Sequence, residues 1–356
     1  AAVAALTVAA GLWLGGRPPA PAEAARERPG LSPIFAARDA YERGQVAMAR
    51  RSEDGLRSSV TQFARAVALS PHYAEAYVGL ADALSLLSSY GLVDPREAMP
   101  RARDAANRAL AIDPSLAQAH ASLGRTAMIF DWDWRTAEFH LAKARALAPG
   151  DGRVHQWSAY LLAALGRFEE AEAEARRAVA AEPLSPNTNT ALGFVLYLTR
   201  QFEAAEIQLR RTIEMDPDFL QARRALALVA VQTRRLPEAT AELERVARVN
   251  RESPAARADL AWIYGLSGRQ DEARRLIAEL EQTASRSFVP PDGLAQASLG
   301  IGDIDAALSW IDRALATRVA TLANLAVDPM WDPMRGQPRF AAALETIGRP
   351  SRQAER

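Results

Sequence analysis

Five prolines constrain this chain more than any other feature. Pro71, Pro114, Pro149, Pro183 and Pro217 each close an Ala- and Leu-rich stretch; the last three stand 34 residues apart, the gap before them is 35, and the first gap is 43. Proline lacks an amide hydrogen and clashes with the turn before it, so a recurring proline marks a recurring helix stop. A period of 34 residues holds two helices and two short turns. One such hairpin cannot bury its own apolar face, so hairpins of this kind must stack on one another.

The clearest unit runs from Gly152 to Ser185, with Leu162, Gly166, Phe168, Ala171, Ala175, Ala178 and Pro183. The next repeats it with Leu192, Gly193, Leu196, Phe202, Ala205, Leu209 and Pro217. A small residue stands midway along six of the first helices (Ala81, Gly124, Ala159, Gly193, Ala227, Ala261) and early in six of the second (Ala137, Ala171, Ala205, Ala239, Ala273, Ala307). Both let the two helices cross closely, and a larger side chain there would cost about 1–3 kcal/mol in overpacking. Phe168 and Phe202 are expected to fill the wedge between successive hairpins, and Asp113-Pro114 and Asp216-Pro217 add a turn-forming residue to the stop. About eight units align. The first, Ala37 to Pro71, carries an insertion around Arg51 to Gly55; the second carries a long one, Ser88 to Pro100; the seventh and eighth lack the closing proline. Val327 to Ile347 breaks the period and is expected to cap the last exposed helix face.

Apolar residues make up 49% of the chain, mostly Ala and Leu, against 7% aromatic, a balance that favours closely packed helices. Basic and acidic residues number 43 each, without a strong block of either sign. A nucleic-acid surface needs a basic excess, so direct nucleic-acid binding is not expected. Lys143 is the only lysine, which with the heavy use of Ala reads as a GC-rich bacterial genome rather than as function. The absence of cysteine excludes disulfides, thiolate metal sites and cysteine nucleophiles. No Gly-rich loop ends in Lys-Ser/Thr and no GxGxxG follows a strand, so no cofactor is expected. His72, His120, His140 and His155 show neither HxxxH nor HExxH spacing, and no metal site is expected. His120 and His155 hold equivalent places in successive repeats, where a large side chain packs. No GxSxG marks a nucleophile, and Glu169 and Glu170 belong to a solvated helix face, so the chain does not read as an enzyme. Asp131-Trp132-Asp133-Trp134 reads first as the turn of the third unit, its indoles covering Phe130 and Leu141, and alternatively as an aromatic recognition tip. The Ser88–Pro100 insertion carries two readings as well, tolerated loop length or a binding loop.

Ala1 to Gly16 is apolar and uncharged but shorter than the roughly 18–20 residues that a spanning helix needs. With no initiator Met and no preceding basic stretch, it is expected to be the C-terminal part of a transmembrane helix cut from a longer chain, with Trp13 and Arg17 at the interface. A trimmed signal peptide and a soluble N-terminal helix are the alternatives. A Pro/Ala-rich linker over 17–34 follows, then the repeat array over 35–326, a cap over 327–349 and a polar tail over 350–356.

Over nearly its whole length the chain resembles the tetratricopeptide repeat (TPR) proteins. In ARDAYERG (Ala37–Gly44), AYVGLADALSLLSSYG (Ala76–Gly91), REAMPRAR (Arg96–Arg103), FDWDW (Phe130–Trp134) and VDPMWDPMRGQPRF (Val327–Phe340) the resemblance narrows. These blocks are similar to the extracytoplasmic TPR region of bacterial membrane-anchored regulators. There a cytoplasmic effector, CadC-like winged-helix, Ser/Thr kinase or nucleotide cyclase, precedes one transmembrane helix and such an array. The resemblance implies an all-α, right-handed α-solenoid with a C-terminal capping helix. It also implies a sensory or interaction domain, held on the periplasmic side of a membrane, with a homodimer as a further partner. No effector stands in these residues, so the output is open, and a soluble or secreted scaffold for complex assembly is the alternative.

First helices of such a solenoid line its concave face, the expected groove for a protein or peptide. Its candidate binding residues are Asp82, Arg125, Gln156, Tyr160, Asn187, Phe194, Tyr197, Arg224 and Trp262, with Glu75, Gln118 and Gln221 beside them. Amide and Arg groups suit a peptide backbone or a carboxylate, and Tyr160, Phe194 and Tyr197 suit apolar side chains. For each aromatic the competing reading is packing between neighbouring first helices. The lining is not Lys-rich and does not match the carboxylate clamp of co-chaperone TPR domains.

Overall fold

A computed structural model describes residues 33–348, Glu252 apart. Among these the chain forms seventeen α-helices and no strand. Sixteen helices pair as hairpins. They are α1 (Pro33–Ala49) with α2 (Glu53–Leu69), α3 (Ala74–Ser89) with α4 (Pro95–Ile112), α5 (Ala117–Thr126) with α6 (Trp134–Leu147), and α7 (Gly152–Ala164) with α8 (Phe168–Ala181). After them come α9 (Pro186–Leu198) with α10 (Phe202–Met215), α11 (Leu220–Gln232) with α12 (Leu236–Val249), α13 (Pro254–Leu266) with α14 (Gln270–Ala284), and α15 (Pro291–Gly300) with α16 (Ile304–Thr317). The result is an all-α solenoid of eight hairpins, with α17 (Pro338–Ile347) packed on α16. The apolar run Ala1–Gly16 and nearly all of the linker lie outside the described residues. No described helix is long and apolar enough to cross a membrane.

Local chemistry explains the hairpins. Helices α2, α4, α6, α8 and α10 each end two residues before their proline. Each hairpin turn contains one residue in the left-handed region: Arg51, Gly91, Trp132, Gly166, Arg200, Arg234, Gly268 and Gly302. Glycine takes that conformation without a Cβ penalty, and the four other residues take it at a cost. The alanines at the crossing positions are almost completely buried. At Gly193 an added Cβ would lie 2.6 Å from Leu209 Cγ, and at Gly124 2.7 Å from Leu141 Cγ, so both crossings are as tight as the spacing predicts. Only residues 90–94 of the second insertion form a loop. Helix α3 continues to Ser89, α4 begins at Pro95, and Pro100 lies within α4, so the extra residues lengthen both helices.

The solenoid curves until its eighth hairpin meets its second. A Cβ on Gly91 would collide with Pro290 Cγ, in the loop between α14 and α15. After α16 the chain turns back across the concave side through two 3-10 turns, Ala320–Asn324 and Pro329–Met334. Arg318 donates to the carbonyl oxygens of Phe130 and Asp131 at 2.9 and 3.1 Å, and Trp134 Nε1 donates to the Ile347 oxygen at 3.0 Å. Trp134, Leu161, Ile311, Trp331 and Phe340 thereby share one core. The C-terminal segment is thus more than a cap: it bridges the eighth hairpin to the third. The recognition-tip reading of the Asp131–Trp134 turn is wrong. Trp132 and Trp134 are 8% and 4% exposed, because a π-type turn over Ala127–Asp131 directs the chain so that both indoles face the returning segment.

The concave chamber, a candidate binding site

One repeat position recurs along the concave side. Asp82, Arg125, Tyr160, Phe194, Leu228 and Trp262 follow one another at gaps of 43, 35, 34, 34 and 34, the spacing of the closing prolines carried one unit further. Along the arc that position changes from charged to aromatic to apolar. Two adjoining cavities result, of about 250 and about 370 Å³, with Tyr90, Trp157, Tyr160, Thr190 and Gln221 in their common wall. Val319, Ala320, Thr321, Ala323 and Asn324 of the returning segment line the larger one.

The smaller cavity carries six charged side chains, Arg51, Asp82, Arg125, Asp151, Arg153 and Glu182, among apolar ones. Arg125, only 3% exposed, donates from Nη2 to Asp82 Oδ1 at 2.8 Å, and Ser122 Oγ donates to the same oxygen at 2.7 Å. Arg153 Nη1 stands 3.5 Å from Asp82 Oδ2. Gln118 Nε2 donates to Asp151 Oδ2 at 2.8 Å, while Asp151 Oδ1 caps α7 by accepting from the amides of Arg153 and Val154. Arg51 lines the cavity from the first hairpin turn. The Nε atoms of Arg51 and Arg125 are buried and meet no acceptor in the protein. Burial pushes the Arg125 guanidinium below its ordinary pKa; Asp82 opposes this, and the charges of Arg51 and Arg153 add to it. The Arg125 guanidinium also lies 4.9 Å from the centre of the Trp157 ring.

The larger cavity is aromatic and apolar, walled by Ile129, Phe194, Leu228, Val246 and Phe288. Trp157, Tyr160 and Phe194 meet edge to face at centroid distances of 5.5 and 6.1 Å. Burial pushes the Tyr160 hydroxyl up to about 12, against the hydrogen bond with Gln156 that lowers it. At the far end Arg224 grips Asp259 with two bonds of 2.7 and 3.0 Å, and that carboxylate holds the guanidinium well above its usual value. Asp292 accepts from Thr321 Oγ1 at 2.7 Å, and burial raises its pKa.

The expected groove residues therefore divide. Asp82, Arg125, Gln156, Tyr160 and Asn187 line the smaller cavity, with Gln118 and Gln221. Tyr160, Phe194 and Arg224 line the larger. Tyr197 and Trp262 line neither. Tyr197 is completely buried, its hydroxyl donating to Asp328 Oδ1 at 2.7 Å, because the returning segment docks there. Trp262 is 3% exposed, since α15 lies directly on its backbone: a Cβ on Gly300 would come within 2.5 Å of its carbonyl oxygen. Glu75 also lies outside both cavities. Sequence reasoning missed Arg51, Arg153 and Trp157. Trp157 was within reach, being three residues before Tyr160 on one helix face. Arg51 carried no signal, because it sits in an insertion.

The histidines serve the hairpins. His155 lies 2.6 Å from Glu174 and 2.8 Å from the Pro149 oxygen, and His120 and His140 face each other at 2.9 Å. Among the described residues no group of three or more His, Asp or Glu is arranged to hold a metal ion.

No protein-family model matches the chain, and no curated protein matches it in sequence. Solved structures match its shape. Human IFIT1, a dimer with m7Gppp-AAAA, aligns at 14% identity over 79% of this chain and 72% of its own, with a TM-score of 0.59. IFIT1 with PPP-AAAA aligns at 12% identity over 83% and 69%, with a TM-score of 0.57. TTC0263, a thermophilic TPR protein of Thermus thermophilus, aligns at 20% identity over 55% of this chain and 100% of its own, with a TM-score of 0.47. The fold is a tetratricopeptide-type solenoid. At these identities the likeness speaks to fold alone.

Proposed function

We propose that this chain is an interaction module, a TPR scaffold that binds part of a protein or peptide in its concave chamber and catalyses no reaction. The observation that supports this most is the pair of adjoining cavities on the concave side, edged by both charged and aromatic groups. Pockets of roughly this size take small groups rather than long segments. Tyr197, Val327 and Met330 fill the middle of the concave side, so a partner inserts an end or a few side chains and does not lie along the whole groove. The wider context in this reading is the sensory domain of a membrane-anchored bacterial regulator, exposed outside the cytoplasm. Its support is the resemblance of the five sequence blocks and the apolar run Ala1–Gly16.

The test is capture from an envelope extract, read by mass spectrometry, with the wild-type chain and two variants. Gln221→Trp puts an indole into the wall common to both cavities; Ile207→Ala alters an exposed side chain on α10. A partner kept by wild type and Ile207→Ala and lost by a folded Gln221→Trp supports the chamber. Equal capture by all three overturns it. For the membrane context, a phosphatase reporter fused to the C-terminus should be active outside the cytoplasm; activity confined to a cytoplasmic reporter would overturn that part.

A further inference from the structure

The charge layout narrows the chemistry of the ligand. Three arginines from three hairpins line the smaller cavity: Arg51 between α1 and α2, Arg125 on α5 and Arg153 on α7. Arg125 and Arg153 both turn to one carboxylate, Asp82, and Arg51 has no ion-pair partner among the described residues. Of the other two acids of this cavity, Asp151 accepts from Gln118 and from the first amides of α7, and Glu182 stands beside Gly152 at the start of that helix; among the described residues neither forms an ion pair with the three arginines. Two guanidinium groups therefore keep buried N–H donors without acceptors, one of them on a side chain only 3% exposed. A planar fork of donors matches the paired oxygens of a carboxylate or a phosphate.

The number of charges is also constrained. Over the whole lining Arg51, Arg125 and Arg153 balance Asp82, Asp151 and Glu182, and in the adjoining cavity Asp259 and Asp292 outnumber Arg224. A single negative charge can settle beside the free arginine donors; a triphosphate or an oligonucleotide would be repelled by the carboxylates around it. The aromatic wall begins at Trp157, against Arg125, and continues through Tyr160 to Phe194.

We infer that the smaller cavity is a site for one carboxylate, held by Arg51, Arg125 and Arg153, whose apolar or aromatic body extends past Trp157 and Tyr160 into the larger cavity. This rests on the concave chamber being the binding site. Two sources supply such chemistry, a free apolar organic acid and the C-terminal residue of a peptide.

Calorimetry on the full chain tests it with matched probes. These are 3-phenylpropionate beside 3-phenylpropanol, N-acetyl-Ala-Phe beside its C-terminal amide, and ATP as the polyanion. At least one acid should bind about tenfold or more tightly than its neutral twin, and Arg51→Gln should remove most of that difference while leaving the neutral twin unchanged. Arg51 has no ion pair to lose, so this variant should fold normally by circular dichroism. Binding of the free acid alone names a small metabolite; binding of the peptide acid alone names a chain end. Equal binding of acid and neutral twin, no binding of either acid, or tighter binding of ATP overturns the inference. A probe or extract partner that is lost by Phe194→Ala and kept by Arg51→Gln would leave the chamber as the binding site and overturn only the carboxylate.

Discussion

Replacing Gly300 by Ala should weaken the array where its last two first helices touch. A Cβ at Gly300 would lie 2.5 Å from the Trp262 oxygen and 2.8 Å from its Cα, and a Cβ at Gly265 would lie 2.5 and 2.6 Å from the carbonyl carbon and oxygen of Gly300. Both obstacles are backbone atoms inside helices, so no side-chain rotation relieves them. Overpacking costs about 1–3 kcal/mol, and a backbone obstacle puts this case near 3 kcal/mol. Alanine favours a helix over glycine by about 1 kcal/mol, so the net loss is about 2 kcal/mol. Gly193→Ala meets the Leu209 side chain at 2.6 Å and should lose less, because that side chain can shift. Gly150→Ala has nothing within 4 Å and should stay within about 0.5 kcal/mol of wild type. Urea unfolding followed by circular dichroism gives the ranking. A Gly300→Ala chain as stable as wild type would refute the idea that backbone contact between α13 and α15 sets the junction of the last two hairpins.

Three further outcomes are expected. Tyr197→Phe removes the hydroxyl that donates to Asp328 and should cost about 1–3 kcal/mol; a double-mutant cycle with Asp328→Asn should show coupling, and additive losses would exclude it. His120 and His140 are both held below the ordinary value of 6.5, chiefly by burial, with Lys143 adding to each and His120 to His140. The folded state therefore prefers neutral rings, so this contribution to stability is complete above 6.5 and declines as pH falls below it; urea midpoints measured across that range should vary less in His140→Gln, with the share that His120 contributes remaining. Arg234 is exposed and left-handed with φ of 60°, so Arg234→Gly should raise stability by up to about 1 kcal/mol, the cost of that conformation less the freedom that glycine adds to the unfolded chain. A melting temperature below wild type would count against that reading.

Much of the protein was legible because its determinants are local. A proline stops the helix before it whatever lies beyond, and an alanine or glycine at a crossing is needed by the partner helix of the same hairpin. Hence the eight hairpins, their boundaries near Pro71 through Pro217, and the buried crossings at Ala171, Gly193 and Ala205 could be read from spacing. The period also marks which residues face inward, so the places of Asp82, Arg125, Tyr160, Phe194 and Arg224 on the concave side are legible from spacing.

The same period could not tell Tyr197 and Trp262 from the aromatics that stay accessible. Their fates depend on elements far away in sequence: Asp328 covers Tyr197, and the Gly265–Gly300 approach lays α15 over Trp262. Nor could it bring Arg51 beside Arg125, or Gly91 against Pro290, because each hairpin adds a small rotation to the last and only their sum decides where the arc closes. Local patterns specify a stack of helical hairpins with a mixed concave face. That the chain's own C-terminal segment crosses this face follows from accumulated curvature and from packing across the hollow, which no local pattern encodes.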